Sequence, residues 1–350
     1  MPVMLDLSET EALLTAAEIE RLVAAISRRR VLICAGGAAL LAAAPMGVRG
    51  QEATPAAMRQ VEDHFGPVTI PAHPQRVIVE GNSTLGNVIA LGVKPLAASM
   101  NPNSLPVFLE GKIDGVVDVL DLSSGTDSID IEKALSLDPD LIIAISGSGG
   151  QDWNLENVER YKAALPATYA YEQSYTYEEE IKQNLIDAAI ALNVEDRAQA
   201  VLDAYDARVA ELREAVTAAG FTDKPVTVVR IFQGGTIWIP YGTSESIVFR
   251  AVGIPQPEGQ RNPDDFGMEL SLERLDVLNE AYALVIYIDD NAEMTQQQLL
   301  NNPVWQAVTP VREGRVIFVN SGVWNSMEIP GVMAIMDDVE NLLLPLADKA

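Results

Sequence analysis

An α/β fold of two doubly wound lobes with mostly parallel sheets, bridged by one long α-helix, is predicted by three features of this 350-residue chain. Short apolar runs alternate with helix-like stretches through residues 64–176. The same alternation returns through residues 220–350. Between these halves, residues 177–219 contain no Gly or Pro and carry apolar side chains at helical spacing. Strands that alternate with helices form parallel sheets covered by helices.

In the first half, Arg76-Val77-Ile78-Val79 reads as a short strand. The loop Glu80–Thr84 follows, then an amphipathic stretch, LGNVIALGV, in which Gly92 suits a helix C-cap. Lys94–Ala98 is the next strand. SIDIEKALSLDPD gives a short helix that feeds Leu141–Ile145, a continuous apolar run of the kind buried on both faces. The Gly-rich loop Ser146–Gly150 and a helix around residues 154–164 complete the lobe.

The second half opens after Pro225 with Val226–Ile231, a β-branched strand. Gly234-Gly235 turns the chain into a returning strand, Thr236–Ile239. SESIVFRAVGI is a helix with Gly253 near its end. SLERLDVLNEA is a short helix that feeds Leu284–Ile288. PVWQAVTPVREG, the strand Val316–Val319 and a helix over 331–347 finish the lobe.

In the segment between the halves, Ile181, Leu185, Ala188, Ala189 and Leu192 mark one helix. Val201, Leu202, Tyr205, Val209, Leu212 and Val216 mark a second. Asn193–Asp196 reads as a stop and a new start. The second helix, about 195–219, spans roughly 37 Å at about 1.5 Å per residue. A helix of that length is a rigid connector that permits only small hinge motion.

Residues 1–50 read as an export signal. Ser27-Arg28-Arg29-Arg30 precedes a short run of small apolar residues, a pattern that resembles a twin-arginine signal. Cys34, the only cysteine, falls inside that apolar run and is read as part of it rather than as a lipid anchor. Residues 51–63 read as a flexible leader. The expected location is the periplasm or the outer face of the cell membrane.

Lys and Arg number 24 against 50 Asp and Glu, with five of each in the first fifty residues. So acidic a chain repels phosphate backbones, which argues against nucleic-acid binding. The two histidines, His64 and His73, lie near the start of the first lobe. No Ser-His-Asp set is available in the lobes, and a His-rich site for a bare metal ion is disfavoured. Ser146–Gly150 lacks the lysine and spacing of a phosphate loop.

Four stretches taken in order resemble one family. They are GPVTIPAHPQRVIVEGNSTLGNVIALGVKPLA, IDIEKALSLDPDLIIA, VTVVRIFQGGTIWI and NPVWQAVTPVREGRVIFVNSGVW. Together they resemble the helix-bridged periplasmic binding proteins of ferric siderophore, haem and cobalamin importers, over about residues 64–347. The resemblance implies a receptor with no catalysis and no cofactor, with iron present only inside a bound chelate. A ferric siderophore is the expected ligand, with haem or cobalamin the alternatives and a metal-dependent enzyme a more distant one. The implied partners are an ABC permease and its ATPase, and the receptor is expected to act as a monomer.

Ligands of open α/β sheets bind beyond the carboxyl ends of the strands. Arg230, at the end of a strand, is the first candidate, because a guanidinium fork matches anionic oxygens. In the resembled family an arginine at this strand contacts the chelate; the competing role is a structural ion pair. Trp324 and Trp238 are candidate flat walls, and Tyr241 a candidate phenol, with core packing the alternative. Asn82, Ser148 and Tyr175 are candidates on the N-terminal loops. Glu80 is less suited, since a carboxylate there repels an anionic chelate. Glu132 and Glu273 stand at equivalent helix starts in the two lobes. The resemblance implies that they dock on arginines of the permease, whereas helix starts favour acids in any case.

Overall fold

The computed structural model describes residues 57–102, 105–123, 127–289 and 292–348. The export signal expected at 1–50 lies outside them. The leader expected at 51–63 is shorter than that range. Strand β1 (Met58–Asp63) pairs antiparallel with β2 (Gly66–Pro71). Asp63 anchors this hairpin, accepting from Lys162 Nζ at 2.6 Å and from the Ala170 N–H at 3.2 Å.

The N-terminal lobe continues through β3 (Val77–Glu80), α1 (Asn82–Ala90), β4 (Ala97–Ser99), β5 (Val117–Asp118) and α2 (Ile131–Ser136). It ends with β6 (Leu141–Gly147), α3 (Leu155–Ala164) and β7 (Thr168–Glu172). The strand order is β5-β4-β3-β6-β7 and every pairing is parallel. Every residue of β3 and β6 is buried, as both-face coverage by helices demands.

The connector is α4 (Glu178–Leu192) followed by α5 (Glu195–Ala218), separated at Asn193, which takes left-handed backbone angles. The α5 rod has 24 residues, about 36 Å. It buries Ala198, Tyr205, Val209, Leu212 and Val216 along one stripe. Each end is clipped to a different lobe. Arg197 donates to the Leu91 carbonyl at 3.0 Å, and Arg213 donates to the Ala251 carbonyl. Both acceptors lie at helix C-terminal ends, where a cation is favoured.

The C-terminal lobe contains β8 (Val226–Ile231), β9 (Ile237–Pro240), α6 (Ser244–Val252), β10 (Gly267–Leu270) and a 3-10 turn over Leu272–Glu280. Then follow β11 (Ala283–Ile288), α7 (Gln296–Asn301), α8 (Pro303–Gln306), α9 (Thr309–Arg312), β12 (Val316–Phe318), α10 (Ser321–Trp324) and α11 (Ile329–Asp338). The order is β10-β9-β8-β11-β12. Strands β8, β11 and β12 are parallel; β9 and β10 add an antiparallel edge.

On the connector side one continuous apolar core joins the lobes. Leu85 and Val88 of α1, Tyr205 and Leu212 of α5, Phe249 of α6 and Ile335 of α11 belong to it. Gly86 is needed at this junction: a Cβ there would sit 2.6 Å from Glu328 Cγ.

Candidate ligand-binding cleft

In both sheets the strand order reverses beside the first strand, between β3 and β6 and between β8 and β11. Crevices open at such reversals, outside the carboxyl ends of the strands. Here the two crevices face each other. A cavity of about 440 Å³ is lined from the N-terminal lobe by Gly81, Asn82, Asp127, Ile145 and Trp153. Arg230, Asn325, Met327 and Glu328 line it from the other side. A second chamber of about 350 Å³ shares Arg230, Asn325 and Met327 and runs over Phe232, Trp238, Glu245, Phe266 and Glu269.

Cross-strand register explains the second chamber. Arg230 lies opposite Trp238 on β9 and opposite Tyr287 on β11, so the three side chains form one row across the sheet. The Arg230 guanidinium stacks on Phe232, 4.1 Å from the ring centroid. Its Nε and Nη2 donate to the two carboxylate oxygens of Asp289, at 3.1 and 2.9 Å. Its Nη1 donates to Asn325 Oδ1 at 2.9 Å. Arg230 therefore makes the structural ion pair and also faces the cleft. It lines both chambers, and its charge is matched by Asp289.

Trp238 and Asn82 also line the cleft. Asn82 spends its amide on the neighbouring loop: Nδ2 donates to the Asn101 carbonyl at 2.9 Å and Oδ1 accepts from the Asn101 N–H at 3.2 Å. Ser148 and Tyr175 line neither chamber, but each contacts a ring that does. Ser148 accepts from Trp153 Nε1 at 3.0 Å, and Tyr175 packs edge-on against Phe266 of the opposite lobe, with centroids 5.8 Å apart.

Two candidates are core residues instead. Trp324 has no exposed surface, donates from Nε1 to Asp338 at 2.7 Å and packs against Phe249. Helix α10 turns it inward, whereas the extended loop read from sequence would have left it at the edge. Tyr241 belongs to the C-terminal lobe's own apolar cluster. Pro240 ends β9 with its successor directed inward.

Glu80 lies beneath the cleft floor. Its carboxylate accepts from the Ile145 N–H at 2.8 Å, from Tyr161 OH at 2.9 Å and from Asn154 Nδ2 at 3.1 Å. Burial pushes its carboxyl up to about 7, and these donors oppose the rise. Glu132 and Glu273 are both exposed, one on α2 and one in the 3-10 turn.

Reading the sequence for strand ends missed Asp127, Phe266 and the Met327-Glu328 pair as lining residues. Glu328 is fully buried where the lobes meet, at the N-cap of α11. Its Oε2 accepts from the Met327 N–H at 3.0 Å, and its Oε1 has no hydrogen-bond partner. Burial pushes this carboxyl from 4.5 up to about 7. Between those values the folded chain holds a proton that the unfolded chain has lost. The residue thus stabilises the fold at low pH, and that contribution is lost as pH rises through about 7. Glutamine has the same shape and carries no charge at any pH. Glu328→Gln is expected to raise the melting temperature at pH 8 and to flatten the dependence of stability on pH between about 4.5 and 7. The difference at alkaline pH reaches at most about 3 kcal/mol. Thermal melts of both proteins at pH 5 and pH 8 check this; parallel curves would refute it.

Two α/β lobes, one bridging helix and an open cleft at the facing strand tips define a helix-bridged solute-binding protein. The chain belongs to the periplasmic binding protein family, whose pattern matches residues 83–322. It is 26% identical over 290 residues to the probable siderophore-binding lipoprotein YfiY of Bacillus subtilis (strain 168), covering 79% of this chain and 84% of the relative. The iron(3+)-hydroxamate-binding protein YxeB of the same organism is 22% identical over 301 residues, 83% of this chain and 87% of YxeB. Among solved structures, Staphylococcus aureus SirA complexed with staphyloferrin B is similar in fold. Its TM-score is 0.64 at 17% identity, over 80% of this chain and 97% of SirA.

Proposed function

We propose that this protein is the extracytoplasmic receptor of an ABC importer and binds a ferric siderophore in the cleft between its lobes. The reading rests above all on two adjoining chambers, the first lined from both lobes and the second from the C-terminal lobe, walled by Trp153, Trp238 and Phe266. A siderophore complex is a bulky shell of mixed polarity. Flat aromatic walls with a few fixed polar groups suit it. The names of the relatives support the same ligand class. Among the described residues that line the chambers there is no histidine, and the one tyrosine, Tyr287, gives its hydroxyl to Glu245 at 2.7 Å. An iron chelate therefore suits the cleft better than haem. The protein acts as a binder without catalysis, as a monomer, outside the cytoplasm. Two relatives are named lipoproteins, which makes Cys34 the residue to examine for lipid attachment.

Trp153 and Trp238 report directly on the cleft. Titration with ferric siderophores is expected to quench tryptophan fluorescence with a saturable, one-to-one isotherm. Saturation by haem or cobalamin, with no response to any ferric chelate, would overturn the assignment.

Glu132 and Glu273 are proposed as the permease contacts. Opposite charges at two separated points fix the orientation of docking. The double variant Glu132→Lys/Glu273→Lys is expected to bind ligand as the parent does and to lose at least about 90% of transport, since like-charge pairing costs several kcal/mol. Uptake of labelled iron chelate in cells checks this; full uptake would discard both residues.

A further inference from the structure

The charges around the cleft restrict its ligand. Among the described residues that line the two chambers, Arg230 is the only base. Four acids accompany it: Asp127 and Glu328 in the first chamber, Glu245 and Glu269 in the second. Arg230 is already matched by the two-point contact with Asp289. The cleft thus offers a neutralised guanidinium, acids from both lobes and several aromatic walls.

We propose that the cleft selects ferric chelates of zero or positive net charge, the trihydroxamate class, over polyanionic tris-catecholate and carboxylate chelates. The proposal rests on the receptor assignment made above and narrows it. Three hydroxamates cancel the charge of ferric iron, while three catecholates exceed it and leave a trianion. Glu245 gives one carboxylate oxygen to the Tyr287 hydroxyl. Burial raises the carboxyls of both Glu245 and Glu328, which favours their neutral forms. Asp127 and Glu269 line the chambers beside them, and the single lining base, Arg230, is already paired with Asp289. The chain as a whole carries a formal net charge of −26, so the long-range field also attracts cations and repels anions. The ring faces of Trp153, Trp238 and Phe266 add attraction for a cationic shell and cost an uncharged one nothing.

The magnitude is substantial. A single like charge about 8 Å away, at an effective dielectric near 20, corresponds to about a thirtyfold change in affinity. Against a trianion the effects of two such acids compound.

Three probes separate the outcomes: ferrichrome as a neutral trihydroxamate, ferrioxamine B as a cationic one, and ferric enterobactin as a tris-catecholate trianion. Fluorescence titration of the wild-type protein at neutral pH is expected to rank both trihydroxamates at least about a hundredfold tighter than the trianion. Ferrioxamine B should weaken as salt is raised, and ferrichrome should not change. Asp289→Asn unpairs the Arg230 charge. It is expected to improve trianion binding by about tenfold or more relative to ferrioxamine B. Binding of the trianion as tight as that of the trihydroxamates would overturn the charge rule and leave the receptor assignment intact. Failure of all three probes would overturn the assignment itself. Should Asp289→Asn not fold, the salt series on the unaltered protein still decides, since salt-independent ferrioxamine B binding contradicts the rule.

Discussion

Arg230→Ala is expected to weaken ferrichrome binding at least about tenfold, which is about 1.4 kcal/mol. A guanidinium has five N–H groups, more than Asp289 and Asn325 engage. It stands at the junction of the chambers, so the donors left over are expected to reach a chelate's oxygens from either side. Truncation also frees Asn325 from its 2.9 Å contact and strips the guanidinium from the Phe232 ring. With a neutral probe, the change cannot be ascribed to net charge. Titration of folded protein, confirmed by an intact thermal transition, checks it. Unchanged affinity would take Arg230 out of the binding surface and leave it a purely structural partner of Asp289.

Glu80→Ala is expected to destabilise the protein by about 3–5 kcal/mol, because it strands buried donors. The Ile145 N–H, Asn154 Nδ2 and Tyr161 OH all point at this carboxylate. Asn154 also donates to the Ile145 carbonyl at 2.7 Å, and Tyr161 OH accepts from the Ile129 N–H at 2.7 Å. One side chain thus fastens β3, β6, α3 and the segment before α2. The melting temperature should fall on the order of 10 °C. Ile145 lines the cleft, so the folded fraction should also bind ligand more weakly. A melting curve superimposable on that of the parent would show that the network is dispensable.

The elements of this fold were legible wherever periodicity was strong. β6 is apolar throughout, and the Gly- and Pro-free segment divides at Asn193 into the two helices that its spacing demanded. Weak periodicity hid the rest. Strand β1 alternates only between exposed and half-buried positions, so it resembles a solvated tail. β7, TYAYE, is a short strand whose tyrosines find hydroxyl partners across the fold, as Tyr171 does with Thr84 at 2.9 Å.

The site was legible to the extent that strand ends locate it. Arg230, Trp238 and Asn82 sit at or beside strand tips and line the chambers. Trp324 and Tyr241 failed because a one-residue rotation at the start of a helix or the end of a strand decides between cavity and core, and composition does not encode that rotation. Glu328 is far from any strand tip in sequence. It reaches the cleft only because α11 packs under α1, a contact between residues more than two hundred positions apart.

The arginine clips at the two ends of α5 bear on how an importer would distinguish a full receptor from an empty one. With one arm pinned at Leu91 and the other at Ala251, and with a shared core behind them, the molecule resembles a ruler more than a pair of jaws. The gap between Glu132 and Glu273, the two carboxylates proposed to dock, is then expected to stay almost constant, whatever the occupancy. Cargo has to announce itself at the lips of the groove, through the rings and loops it touches there, and the transporter's mouth must inspect that local relief.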